Sequence, residues 1–205
     1  MLVRSRIGDA LLLSLAVALG CSGAQSRLSQ PGVKRDAAKS AVDKYDTDGD
    51  GSLGAAEIAA SPALQASLKR TDKDGDGRIT PEELDARFAV WRNSGVALTR
   101  LAITVRQSGR PVAGASVKLV PEEFQGQAIK SASGTTDSEG VAHMKISDHP
   151  DEAGVHLGFY RIEVSKTDQA GQETLPASNN TDTKLGVEIS PDDPSSSRLN
   201  LQLLD

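Results

Sequence analysis

Residues 46–57 read DTDGDGSLGAAE: an acid at every second position, then glycine, then a glutamate closing the twelve. Carboxylates set this close repel one another, and a loop built this way stays open unless a cation draws the charges together. A hard divalent ion does so. Ca²⁺ gathers about six to eight oxygens at about 2.3–2.6 Å, and one short loop can supply them. In that pattern Asp46, Asp48 and Asp50 take positions 1, 3 and 5, Gly51 makes the sharp turn at 6, the Ser52 carbonyl serves at 7, and Glu57 closes the shell at 12.

The pattern recurs at residues 72–83, DKDGDGRITPEE, with Asp72, Asp74, Asp76, Gly77, the Arg78 carbonyl and Glu83. Leu53 and Ile79 stand at position 8, where paired loops of this type join through a short two-stranded contact. Residues 36–95 thus resemble a pair of EF-hands, which implies two Ca²⁺ ions as cofactor. Helical spacing agrees. In residues 36–45 Ala38, Ala41, Val42 and Tyr45 share a face, Ser61 and Pro62 break the chain between the loops, and Leu64 and Leu68 face inward on the next helix. Pro81 opens a last helix on which Leu84, Phe88 and Trp91 form the core stripe, ending near Gly95. Only residues 58–71 separate the loops. Both inner helices are therefore short, which favours a structural ion over a sensor that opens a target groove. The same short spacing resembles dockerins, calcium-dependent assembly modules, although dockerins lack the helix before the first loop.

From residue 96 the hydrophobic period changes to two. Residues 98–107, 115–121, 135–146, 158–166, 183–190 and 198–204 read as short strands separated by turns, with Asp137 and Gly140 suited to one such turn. The expected class is α+β: a helical calcium-binding pair followed by an antiparallel β-sandwich over residues 96–205. The order RPVAGASVKLVP, TTDSEGVAHM, GFYRIEVSK, LPASNNTDTKLGVEI resembles the carboxypeptidase-regulatory-like, or transthyretin-like, domain of exported bacterial lipoproteins. That resemblance implies a folding module, usually non-catalytic; the resemblance names no ligand, and the partner expected in the envelope is a protein or a glycan. The sandwich is expected to fold without metal, while Ca²⁺ drives folding of the helical pair. Trp91, docked across the short RNSGVA junction, would instead join the two.

Composition bounds the rest. Acids outnumber bases 28 to 23, aromatic residues make up 3%, and no basic patch carries interleaved aromatics, which excludes nucleic acid as partner. Residues 1–24 read as an export signal, with Arg4 and Arg6 ahead of an apolar run at 10–20, and residues 25–35 as a linker. ALGC at 18–21 resembles a lipobox, with Ala18 where that family prefers Leu, and implies that Cys21, the single cysteine, carries lipid and anchors an exported protein to the membrane of the cell envelope. Cleavage after Ala24 is the competing reading; it discards Cys21 and leaves a soluble secreted or periplasmic chain. His143, His149 and His156 are the candidates for neutral-pH proton transfer, and a hydrolase using them is the alternative function. They lack an accompanying nucleophile motif, and the final LQLLD departs from the Tyr-Arg-Gly-Ser ending of the hydrolytic transthyretin relative, so the expectation is a non-enzyme.

Overall fold

The computed structural model describes residues 32–147 and 153–204, and Cys21 and His149 lie outside this set. Four helices come first. Helix α1 (Ala37–Tyr45) buries the small residues Ala37, Ala38 and Ala41. A single turn, α2 (Ala55–Ile58), is followed at once by α3 (Pro62–Thr71), because Ser61 caps the new helix by accepting from the Leu64 N–H and Pro62 suits its first turn. Helix α4 (Pro81–Asn93) starts on a capping box in which Thr80 and Glu83 satisfy each other's backbone N–H groups. It buries Leu84, Arg87, Phe88 and Trp91.

Two sheets follow. The smaller centres on β1 (Ala102–Gln107), flanked by β2 (Arg110–Pro111), β5 (Val141–His143) and β9 (Arg198–Gln202). The larger runs in the order β6 (Lys145–Ile146), β4 (Ala132–Thr135), β3 (Ser116–Pro121), β7 (Gly158–Ser165), β8 (Gly186–Ile189). Their pairings are antiparallel with one departure from expectation: β9 runs parallel to β1, from Ala102 opposite Arg198 to Arg106 opposite Gln202. The segment at 135–146 also departs from a simple hairpin. Asp137 accepts the N–H groups of Glu139 and Val141, and Gly140 takes φ +79°, as expected of a turn. Yet β4 pairs in the large sheet and β5 in the small one, so this turn carries the chain from one sheet to the other. Gly140 is required there: a Cβ would stand 2.7 Å from the Val105 carbonyl oxygen, which leaves no room for a side chain.

The helical and β parts share one hydrophobic cluster that runs from Val33 to Leu203. Five of the six aromatic side chains meet where the parts touch. Trp91 lies 4.9 Å from Phe159 between ring centroids, Phe88 5.3 Å from Trp91, Phe124 6.0 Å from Phe159, and Tyr45 6.3 Å from Phe124. Around them sit buried polar groups. The Arg87 guanidinium donates to Glu188, to both oxygens of Asp192 at 2.7 and 2.8 Å, and to Ser190 at 2.8 Å. Arg70 of α3 reaches Glu188 at 2.9 Å and Asp193 at 2.8 Å. Trp91 Nε1 donates to Glu188 at 3.2 Å. Glu122, 2% exposed, accepts from Tyr45 and Ser61. The Arg87 fork holds Asp192 well below the usual carboxylate range. Helix α3 also lies directly on β8, where a Cβ at Gly186 would come within 2.1 Å of the Pro62 carbonyl carbon.

This packing yields a prediction about cooperativity. Calorimetry of the full chain should show one thermal transition that shifts as a whole when Ca²⁺ is added or chelated, because separating the halves would expose Trp91, Phe88 and Phe159 together. Arg87→Met should lower stability by about 3 kcal/mol, since it removes the fork on Asp192 and leaves the buried Glu188 carboxylate with only Arg70 and Trp91 Nε1 as partners. Two transitions, with only one responding to metal, would show the halves to be energetically separate.

Candidate metal centre

Each loop begins where a helix stops. Asp46 follows α1 and Asp72 follows α3, and each backbone N–H still bonds back into its helix at 2.8 Å, so the first carboxylate of each loop is placed by the helix end. The loops then coil by the same hydrogen bonds. Asp46 accepts from Gly49 N–H at 2.6 Å and Gly51 N–H at 2.9 Å; Asp72 accepts from Gly75 at 2.7 Å and Gly77 at 2.9 Å. Asp48 accepts from Asp50 and Asp74 from Asp76, both at 3.2 Å. Gly51 and Gly77, at φ +87° and +83°, make the sharp turns, and since a Cβ would meet nothing there, backbone conformation alone calls for glycine.

The result is two triads, Asp46 with Asp48 and Asp50, and Asp72 with Asp74 and Asp76, each presenting one carboxylate oxygen per residue within 4.8 Å of the others. Glu57 and Glu83 stand outside these triads. Glu57 accepts from the N–H groups of Thr47 at 2.6 Å and Gly54 at 2.7 Å, and Glu83 from Lys73 at 2.8 Å and Thr80 at 2.9 Å, so each closing carboxylate staples the start of its loop to the end. Ser52 and Arg78, the position-7 carbonyl residues, precede a two-way backbone bridge. Leu53 N–H donates to the Ile79 carbonyl at 2.8 Å and Ile79 N–H to that of Leu53 at 2.9 Å, with both side chains fully buried.

Hydrogen bonding favours the ionised form of Glu57, Glu83 and Asp50, the form a metal requires. Backbone N–H donation from Gly54 and Thr47 holds Glu57 below the usual carboxylate range. Burial pushes Glu83 up, but the N–H groups of Thr80 and Lys73 outweigh it and its carboxyl also lies low. The Ser52 N–H and hydroxyl, with Arg78, do the same for Asp50. The donor set is all oxygen and anionic. It fits a hard divalent cation, with Asp46, Asp48, Asp50, Ser52 and Glu57 able to hold one ion, and Asp72, Asp74, Asp76, Arg78 and Glu83 another.

Arg78 has a second part that the ligand pattern does not reveal. Its side chain crosses from loop two to loop one, where the guanidinium pairs with Asp50 and Nε donates to Ser52 Oγ at 2.8 Å. Of the histidines, His143 is exposed on β5, and His156 Nδ1 accepts from the Lys130 N–H at 3.2 Å.

Helix, acidic loop, helix, with a backbone bridge to a second such loop, defines the class of site. A family model described as EF hand matches residues 64–89, which take in loop two and most of α3 and α4. Loop one lies outside that match but reproduces its hydrogen bonds atom for atom. The chain therefore contains an EF-hand domain with acidic loops that could bind calcium. No curated protein matches it. Among solved structures, the major pilin subunit of Bacillus cereus is similar at 19% identity and TM-score 0.31, covering 51% of this chain and 29% of that one. This chain thus spans less than a third of that protein's length.

Arg78 makes the two loops unequal. Its charge offsets the mutual repulsion of the loop-one carboxylates in the metal-free state and opposes a second cation beside Asp50. Arg78→Gln should therefore lower the melting temperature in EGTA while tightening calcium binding at loop one by about a few-fold. Scanning calorimetry and titration calorimetry read the two effects. A variant that weakens both would make Arg78 a plain structural support.

Proposed function

We propose that this chain is an exported, non-catalytic calcium-binding protein of the cell envelope. Its helical pair takes two Ca²⁺ ions as structural cofactors, one per loop. Its β half serves as a carboxypeptidase-regulatory-like module that meets an envelope protein or glycan. The reading rests above all on the two aspartate triads with matching cradles, one of them inside the EF-hand match. A structural ion is favoured over a sensor by the clamp on α4. Glu83, which closes loop two, lies one helical turn from Arg87, and Arg87 is fastened to Glu188 and Asp192. An α4 held in this way has little freedom to swing out and bare a target groove. Lipid at Cys21 is supported by the signal-like run and the ALGC stretch before it.

Titration calorimetry tests the ion count. The wild-type chain should take up two Ca²⁺ with affinities at or tighter than about 10⁻⁴–10⁻³ M, the range of extracellular modules. Glu57→Gln and Glu83→Gln should each abolish or strongly weaken one site and leave the other. Absence of heat at millimolar Ca²⁺ would overturn the proposal. Mass spectrometry of the mature N-terminus decides the anchor: a diacylated or triacylated Cys21 supports it, and an unmodified start at Gln25 replaces it with a soluble exported protein.

A further inference from the structure

The strands of the small sheet, β1, β2, β5 and β9, contain no aspartate or glutamate, although the whole chain carries a net charge of −5. Their outward face is instead basic. Leu101, Ile103 and Ala142 point into the core at 3%, 0% and 0% exposure, so the alternation of a strand turns Ala102 and His143 outward. Register sets His143 opposite Ala102 on one side and Arg198 opposite Ala102 on the other. Strands spaced about 4.8 Å apart place His143 and Arg198 about 10 Å apart, with only a methyl group between them.

That dip belongs to a cavity of about 380 Å³, whose lining adds Arg100 and Lys145 to the same four-sided basic rim and Leu101 and Met144 behind it. Among the described residues, no hydrogen bond or ion pair engages the side chains of Arg100, His143, Lys145 or Arg198, whereas Arg70, Arg78 and Arg87 all have carboxylate partners. Arg100, Lys145 and Arg198 place three cations around one small hollow, and a bound anion would offset their mutual repulsion. Two arginine forks and a lysine suit a dianion better than a single carboxylate, because a phosphate monoester carries about −1.5 to −2 charge and offers three acceptor oxygens. The volume lies within the range of small-molecule sites, about 300–1,000 Å³.

We infer that this cavity binds a phosphate monoester, with Arg100, Arg198 and Lys145 on the phosphate and His143 at its edge. The site lies in the β half and is independent of the calcium reading. The test is amide-resolved NMR of the full chain in EGTA, titrated with glycerol phosphate, with sodium chloride at equal ionic strength as control. Saturable shifts centred on Ala102, His143 and Arg198 are expected, lost in the Arg100→Gln, Arg198→Gln double variant at unchanged melting temperature. Arg106→Gln, on the same strand but beyond the cavity, should bind as the wild type does. An equal loss in Arg106→Gln would reduce the effect to diffuse charge and overturn the site. Binding to vesicles containing phosphatidylglycerol without any response to glycerol phosphate would overturn it too, in favour of a flat membrane contact.

Discussion

Trp91 on Phe159, with Arg87 fastened between Glu188 and Asp192, is the contact on which the molecule turns. A helical segment of some sixty residues makes a marginal core alone, and such units normally rely on a metal, a disulfide or a partner surface. Here the partner surface is the larger sheet. The chain has few aromatic residues and places five of six at this junction, so the large rings are spent on joining the parts, while the interiors of the sheets are filled by aliphatic residues such as Ile103, Val117, Leu119 and Ile162. The buried ions set geometry as much as stability. Arg87 can satisfy Glu188, Asp192 and Ser190 together only with α4 at one depth and rotation against β8.

The metal centre inherits that geometry. Loop two starts where α3 ends and closes on Glu83 at the head of α4, and both helices are tied to the same carboxylate, Glu188, through Arg70 and Arg87. Loop one is fixed to loop two by the Leu53 and Ile79 bridge and by Arg78 reaching Asp50. The acidic loops are therefore mounted on the β half through a short series of direct contacts, with no flexible joint between Glu83 and Arg87.

What could be read from the sequence was local. The ligand spacing from Asp46 to Glu57 and from Asp72 to Glu83 is contained within twelve residues, and so are the glycine turns, the Ser61 break and the Leu84, Phe88, Trp91 stripe. Most strand positions were legible because side chains alternate along each strand; β4 was not, since of Ala132–Thr135 only Thr135 falls in the segment read as strand. Partnership between strands was not: nothing near residues 198–202 says that they lie parallel to β1, and the turn at Gly140 looks like a hairpin until Val105 is seen bonding to its carbonyl at 2.8 Å. Arg87 is the sharpest case. By spacing it belongs beside the core stripe of α4, but its burial depends on Glu188 and Asp192, about a hundred residues away. The cross-loop reach of Arg78 was hidden for a like reason, since the ligand pattern uses only its carbonyl.

The parallel seating of β9 against β1 sets an order of events during synthesis. Strand β1 is made early among the strands and lies at the centre of its sheet, yet the neighbour on one side is made nearly a hundred residues later. Until then β1 shows backbone donors and acceptors along an open edge, the kind of surface that invites pairing with another chain. Closing so long a loop is slow compared with forming the helices. The β half therefore carries this open edge until the last strand is in place, and truncation before residue 198 would leave it open for good.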